Sequence, residues 1–151
     1  MADPLIARNP TAGRDFHLLE TVEAGIELKG AEVKSLRAHR ANLKDSFARI
    51  DEGEAWLYGL DISPYPQAGR FAPEPKRVRR LLLHRNQIGR LEGRLAAQGL
   101  TLVATRLYFK GSRVKVELAL AKGKKQFDKR ETMRRREVDR EISRALKYRK
   151  T

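Results

Sequence analysis

Two apolar runs in the second half of the chain flank a short turn that contains glycine, and this pattern restricts the fold most. Residues 100–109 and 113–120 are rich in Val, Leu, Thr and aromatic side chains, and Lys110-Gly111-Ser112 separates them. Alternating runs of this kind are typical of half-buried strands, and a short loop with glycine joins two strands as a hairpin. The sequence therefore predicts a protein built mainly from antiparallel strands.

Further strand patterns precede this hairpin. Apolar residues alternate over 16–28 with an interruption at Ala24-Gly25, which predicts a strand bent at a glycine. Asp51-Glu52-Gly53 separates the segments 47–50 and 55–62, and its glycine can supply the positive φ of a hairpin turn. We count five or six strands.

Two helices are also expected. Apolar positions after Gly30 recur at helical spacing through about residue 39, and Ile88, Leu91 and Leu95 form one apolar helix face that ends near Gly99. Prolines and a glycine over 64–75 predict a long loop, because proline fixes φ and cannot donate to a strand ladder.

These elements favour a mainly β fold, a closed barrel of the oligonucleotide-binding type with two or three short helices, although a β-sandwich has the same pattern. We divide the chain into an irregular N-terminal arm (1–14), the barrel (15–121) and a basic C-terminal tail (122–151). Trp56 and Tyr58 fall on an alternating strand, so we expect them in the core or in cross-strand packing.

Charge indicates the class of partner. The net charge is +14, and the segment from Lys122 onward contributes 13 Lys/Arg against 5 Asp/Glu. Basic residues concentrated in this way are typical of nucleic-acid binding. No cysteine occurs, and we find neither an apolar run of bilayer length nor a signal-peptide core, so we expect a cytoplasmic protein without a membrane partner.

Catalysis is not expected. His17, His39 and His84 are scattered along the chain, and neither a nucleophile–base pair nor a phosphate-binding glycine loop occurs. Metal-ligand spacing is absent from the sequence too, so we expect no cofactor and no metal.

Several segments together resemble one family. They are Glu23-Ala24-Gly25-Ile26, Glu32-Val33-Lys34-Ser35-Leu36-Arg37, Ala41-Asn42-Leu43-Lys44-Asp45-Ser46, Ile62-Ser63-Pro64-Tyr65, Arg80-Leu81-Leu82-Leu83-His84, Leu107-Tyr108-Phe109, Ala121-Lys122-Gly123-Lys124-Lys125 and Asp128-Lys129-Arg130. In this order and spacing they are similar to the SsrA-binding protein (small protein B) family, from about Asn9 into the tail.

The resemblance implies an oligonucleotide-binding-type barrel that binds the tRNA-like domain of transfer-messenger RNA (tmRNA). It further implies delivery of alanyl-tmRNA with elongation factor Tu to stalled ribosomes, at the decoding centre. The tail would then occupy the empty mRNA channel, so that trans-translation resumes and the unfinished product is tagged. The function implied is non-enzymatic.

The residues expected at the RNA are Asn9, Phe16, Glu23, Leu82, Lys122, Gly123, Lys124 and Lys125. An amide bonds phosphate or 2′-hydroxyl, an aromatic ring stacks on a base, and a carboxylate accepts from base or ribose donors. Glycine lets a phosphate approach the backbone while lysines supply the counter-charge. For Asn9 an ordinary loop role stays open, as does a core role for Leu82 and an ion pair for Glu23. Glu32 falls in the first turn of a helix, where we expect a structural role.

The tail residues expected to engage the ribosome are Asp128, Lys129, Arg130, Arg134, Arg135, Val138, Ile142 and Leu146. As a helix, the tail would place a narrow apolar stripe between arginines. Because that stripe is thin and like charges repel, we expect disorder in the free protein and a helix on the ribosome. The alternative is a C-terminal helix docked on the barrel.

Two other functions fit the charge and fold. A structural ribosomal or initiation-factor-like protein would bind ribosomal RNA permanently. A nonspecific nucleic-acid chaperone would bind unrelated RNAs alike, with steep salt dependence.

Overall fold

The computed structural model describes residues 4–124, 134–137 and 140. In these residues the strands are β1 (Leu5–Arg8), β2 (Phe16–Ile26), β3 (Ala41–Asn42), β4 (Phe47–Asp51), β5 (Glu54–Tyr58), β6 (Asp61–Ile62), β7 (Arg79–Leu82), β8 (Thr101–Lys110) and β9 (Arg113–Gly123). The α-helices are α1 (Ala12–Asp15), α2 (Gly30–Arg37) and α3 (Arg85–Gln98), and Pro66–Phe71 forms a 3₁₀ segment.

Six strands close into a barrel, in the order β8-β4-β5-β7-β2-β9, and β9 pairs back with β8. All of these pairings are antiparallel. On its other side β8 pairs first with β4, through Leu102 and Val103, and then with β1, through Arg106 to Tyr108. The predicted mainly β barrel fold is confirmed, with one strand more than the five of a typical oligonucleotide-binding barrel.

The barrel interior is filled by alternate residues of each strand. Leu57, Leu81, Leu107 and Leu118 are fully or almost fully buried there, and Leu91 of α3 packs against the same cluster. In β7 the alternation is strict, since Arg79 and Leu81 are buried while Arg80 and Leu82 are exposed. Because side chains on a strand point alternately to its two faces, the exposed pair lies outside the barrel.

The predicted turns and caps are present where the local pattern required them. β4 and β5 are joined through Glu52 and Gly53, both with positive φ (51° and 77°), as the tight hairpin turn demands. α3 ends at Gly99 in the left-handed conformation, where its N–H bonds the Leu95 carbonyl.

The N-terminal segment differs from the irregular arm that we predicted. Residues 5–8 form β1, whose pairing with β8 is extended by bonds from Asn9 N–H to the Thr105 carbonyl and from Phe109 N–H to the Pro4 carbonyl. Ile6 is buried in the barrel core. The neighbouring prolines bound the strand and do not prevent it, because a proline carbonyl can still accept a ladder bond.

One smaller expectation is wrong and another is confirmed in part. The irregularity of β2 lies between Leu18 and Glu20, and Gly25 stays regularly paired with both β7 and β9. Trp56 and Tyr58 lie on the half-buried positions of β5, while Ala55 and Leu57 fill the core. Cross-strand packing is confirmed for Tyr58, whose ring stacks on Phe47 with centroids 5.3 Å apart.

Candidate nucleic-acid interface

A groove of about 630 Å³ runs along the outside of the barrel where β2, β7 and β9 meet the start of α3. Four cationic side chains line its walls: strand alternation places Arg80, Arg113 and Lys115 there, and the start of α3 supplies Arg85. Arg80 is also bonded to Glu54 at 3.1 Å, so it is partly neutralised. A groove with this excess of positive charge attracts a polyanion.

Leu82 supplies an apolar surface in the same groove. Its side chain is 49% exposed, so the core alternative for this residue is wrong. It faces Gly25 across the β2–β7 pairing, and a Cβ on Gly25 would lie only 3.1 Å from the Leu82 Cβ. Glycine therefore lets Leu82 lie close against β2 while its outer side stays open to a ligand.

Glu23 lines the groove beside this leucine. Its Oε2 accepts from the Tyr108 hydroxyl at 2.5 Å, and Lys110 Nζ lies 3.2 Å from its Oε1. The bond from Tyr108 holds the pKa of Glu23 below its ordinary value, burial opposes this, and Lys110 and Lys115 lower the pKa further. Glu23 is therefore an ionised acceptor, suited to N–H or O–H donors and not to phosphate.

The other end of the β2–β9 pair holds three more predicted RNA-binding residues, Phe16, Lys122 and Gly123, and Phe16 is paired with Gly123 there. Phe16 is half-buried and packs on a small cluster that includes Ala12 and Val103. A Cβ at Gly123 would meet no atom of the described residues within 4 Å, so none of them covers the backbone at the end of β9. Lys122 is exposed beside it. The structure thus divides the predicted contacts between two places.

Asn9 is held within the fold. It is buried, its Nδ2 donates to the Ala104 carbonyl at 2.8 Å, and its Oδ1 accepts from both the N–H and the hydroxyl of Thr11. Both acceptor sites of Oδ1 are used, so this buried amide could contact RNA only through its second Nδ2 hydrogen. Lys124 is also engaged locally, since its Nζ donates to the Gly13 carbonyl at 2.9 Å.

Only part of the tail can be placed. Arg134 and Arg135 belong to a helical stretch, 134–137, and are exposed. The other predicted tail and RNA-binding positions lie outside the described residues, and they are Lys125, Asp128, Lys129, Arg130, Val138, Ile142 and Leu146. The predicted helix and disorder over this segment stay predictions.

Sequence reasoning missed a buried ion cluster between α2 and β7. Arg79 is fully buried and donates to Glu32 Oε2 from Nε at 2.8 Å and from Nη2 at 2.6 Å, while Arg77 Nη2 donates to Oε1 at 2.5 Å. Arg79 also bonds the Leu60 and Pro75 carbonyls. Glu32 therefore has the structural role expected of it, through arginines as well as through its helix terminus.

The described residues contain no group of three or more His, Asp or Glu side chains placed to hold a metal ion. No helix among them is both long and apolar enough to span a membrane.

Comparison with known proteins identifies the family. The family model described as SmpB protein matches residues 6–148. The SsrA-binding protein of Carboxydothermus hydrogenoformans is 57% identical over 97% of this chain and 99% of its own length. That of Desulforudis audaxviator is 56% identical over 94% of this chain and 93% of its own.

A solved structure agrees in fold. A chain from the work "tmRNA-SmpB: a journey to the center of the bacterial ribosome" superposes with a TM-score of 0.68 and is 45% identical. The match covers 85% of this chain and 94% of the solved one. From the family model, the relatives and this structure, we conclude that the chain belongs to the SmpB family of SsrA-binding proteins.

Proposed function

We propose that this chain is a non-catalytic RNA-binding protein that binds the tRNA-like domain of tmRNA through its barrel. The observation that supports this most is the groove between β2, β7 and β9, where cationic walls surround an exposed leucine and an ionised carboxylate. Relatives named SsrA-binding proteins, and a similar solved chain described with tmRNA and the ribosome, support the choice of RNA.

Each feature of the groove has a task in this proposal. Arg85, Arg113 and Lys115 bond the phosphates and fix the position of the RNA. Leu82 packs against an unstacked base or a ribose, and Glu23 accepts hydrogen bonds from base or ribose donors. Sequence-specific recognition of RNA is directed mostly at such unpaired nucleotides, so the groove fits a folded RNA with open loops.

The proposal extends to the ribosome. The basic tail enters the mRNA channel when no message occupies it, and the chain reaches the decoding centre together with alanyl-tmRNA and elongation factor Tu. Message and tail compete for one channel, which restricts rescue to stalled ribosomes. A protein with these partners acts in the cytoplasm.

The test is a binding measurement at physiological salt with the tRNA-like domain of tmRNA and a size-matched unrelated RNA. It uses the full chain and a chain truncated after Lys125. Selective binding that survives truncation supports a barrel that recognises RNA and a tail reserved for the ribosome. Equal binding of both RNAs, abolished by truncation, would identify a nonspecific basic protein.

A matched pair of substitutions locates the site. Leu82→Ser is expected to weaken binding of the tRNA-like domain about tenfold, at the lower end of the roughly 1.5–3 kcal/mol that burial of a leucine side chain contributes. Leu19→Ser is the control, because Leu19 is equally exposed but does not line the groove. Equal losses in the two variants would place the RNA elsewhere.

The tail is tested separately. Replacing Ile142 and Leu146 by charged residues should leave the affinity for tmRNA nearly unchanged and abolish rescue of stalled ribosomes in a reconstituted translation assay. Loss of affinity to the same extent as loss of rescue would contradict separate roles for barrel and tail.

A further inference from the structure

Tyr108 has an unusual position for a residue on the outer face of the barrel. It belongs to β8, and its side chain is on the same side as Arg106, whose guanidinium lies 5.3 Å from the centre of the Tyr108 ring. It is nevertheless only 6% exposed. Its hydroxyl reaches across β9 to Glu23 on β2. The Tyr108 side chain is therefore buried, and its hydroxyl donates a hydrogen bond to Glu23.

The Tyr108 side chain does not line the groove, so its hydroxyl can affect a ligand there only through Glu23. Glu23 lines the groove, whereas Tyr108 and Lys110 do not. A glutamate side chain that is 36% exposed would ordinarily sample several rotamers. The short bond from Tyr108 and the longer one from Lys110 restrain the carboxylate from one side. The acceptor offered to a ligand is therefore fixed before the ligand arrives.

The remaining acceptor capacity of Glu23 indicates what it can bind. A carboxylate has about four lone-pair sites, and the two closest bonds use one on each oxygen. Lys110 Nζ also lies 3.5 Å from Oε2, a length at which a hydrogen bond is weak, so one site on Oε1 and one weakly occupied site on Oε2 are left for a pair of adjacent donors. Among the unpaired bases, guanine presents such a pair on its Watson–Crick edge, N1–H beside the exocyclic amine. Phosphate would be repelled at the same place.

We propose that Tyr108 is a positioning residue that holds the Glu23 carboxylate to read an unpaired guanine of the bound RNA, with Leu82 packed against that base. This inference rests on the proposed function. Tyr108 itself does not touch the RNA. The alternative is that Tyr108 only packs the outer face, in which case its hydroxyl would matter for stability and not for recognition.

A double-mutant cycle separates these roles. The variants are Tyr108→Phe, Glu23→Gln and the two combined, and Tyr58→Phe is the control because Tyr58 lies on β5 away from the groove. Affinity is measured for the tRNA-like domain of tmRNA, and the thermal midpoint is recorded for each variant. Tyr108→Phe should weaken binding about tenfold, since a hydrogen bond to a charged group contributes roughly 1.5–3 kcal/mol.

If Tyr108 acts through Glu23, the affinity losses caused by Tyr108→Phe and Glu23→Gln should not add in the double variant. The double variant should bind no more weakly than Glu23→Gln alone, and Tyr58→Phe should bind like the unsubstituted chain. Fold losses that multiply in the double variant, or unchanged affinity in Tyr108→Phe, would overturn the inference. If Tyr108→Phe does not fold, Lys110→Met removes the other restraining donor and should give a smaller loss that is likewise absent beside Glu23→Gln.

The base is tested with RNA in which each unpaired guanine is replaced in turn by inosine, which lacks the exocyclic amine. One replacement should weaken binding by the unsubstituted chain about tenfold, in the range of 1–3 kcal/mol for one base contact, and should have little effect on Glu23→Gln. If no position responds, the assignment to guanine is wrong. Failure of the unsubstituted chain to prefer the tRNA-like domain at all is a different result, and it would contradict the proposed function.

Discussion

Two glutamates of this chain, Glu23 and Glu32, both accept hydrogen bonds from cationic side chains, but they differ in solvent exposure. Glu23 is 36% exposed and has acceptor sites left on both oxygens, whereas Glu32 is 3% exposed and accepts from two arginines and from the Lys29 N–H. Both have a pKa below the ordinary value, for Glu32 because these bonds outweigh the effect of burial. Unused acceptor capacity at a groove, and not ionisation, distinguishes the carboxylate suited to a ligand.

The position of the Glu32 cluster explains why it is saturated. Arg79 links Glu32 of α2 to the Leu60 and Pro75 carbonyls, so one guanidinium joins the helix, the segment after β5 and the proline-containing loop. Charges taken out of water are tolerated only when they are paired and their remaining donors are satisfied. The cluster is therefore a clamp within the fold.

The largest expected effect concerns this clamp. Glu32→Gln removes the carboxylate bonded to the fully buried Arg79 and should lower the free energy of unfolding by about 3–5 kcal/mol. Urea denaturation measures the change. RNA affinity per folded molecule should stay unchanged, because Glu32 does not line the groove.

The control for this substitution is Glu20→Gln. Glu20 also bonds two arginines, Arg90 and Arg94, but at the surface, where ion pairs contribute little. A loss of stability as large as that of Glu32→Gln would show that pairing, and not burial, determines the energy, and the comparison of the two glutamates would then be lost.

The contribution of the Glu32 cluster to the free energy of unfolding should also depend on pH. A carboxyl whose pKa is lower in the folded state contributes stability above its unfolded pKa, and this contribution is lost as the pH falls through the folded value. The stability difference between the unsubstituted chain and Glu32→Gln should therefore be constant above about pH 4.5, the ordinary value, and shrink below it. Unfolding measured from pH 7 to pH 3 tests this, and a difference that shrinks between pH 7 and pH 5 would contradict it.

The smallest expected effect on stability is that of Glu23→Gln. The amide oxygen can still accept from Tyr108, and the site is partly exposed, so the free energy of unfolding should change by less than about 1 kcal/mol. Its effect on RNA affinity should be the larger one. A variant that loses stability without losing affinity would reverse the roles assigned to the two glutamates.

Local patterns predicted local structure well. The β4–β5 and β8–β9 hairpins and the end of α3 at Gly99 follow from residues that are neighbours in sequence, where periodicity and turn chemistry agree. β1 was missed because Leu5 and Ile6 form a short apolar segment next to proline. Its reason for being a strand is the free side of β8, which is distant in sequence.

The candidate site was predictable to a smaller extent. Glu23 and Leu82 were named through family resemblance, and elementary reasoning left their roles open. Tyr108 was missed as a partner because its bond to Glu23 crosses β9, so no spacing within one strand signals it. Arg79 was missed because it lies in a basic stretch that is typical of a solvated surface, and only the alternation of β7 turns it inward.

Closure of the barrel also limits how early the protein can fold during its own synthesis. β2 pairs with β9 from Phe16 opposite Gly123 to Gly25 opposite Lys115, and β1 pairs with β8. The N-terminal strands therefore cannot complete their pairing until the last strands have been synthesised. Contacts between residues distant in sequence also slow folding. A nascent chain released before Gly123 would lack the end of β9 that covers the start of β2, and would expose unpaired strand edges prone to aggregation.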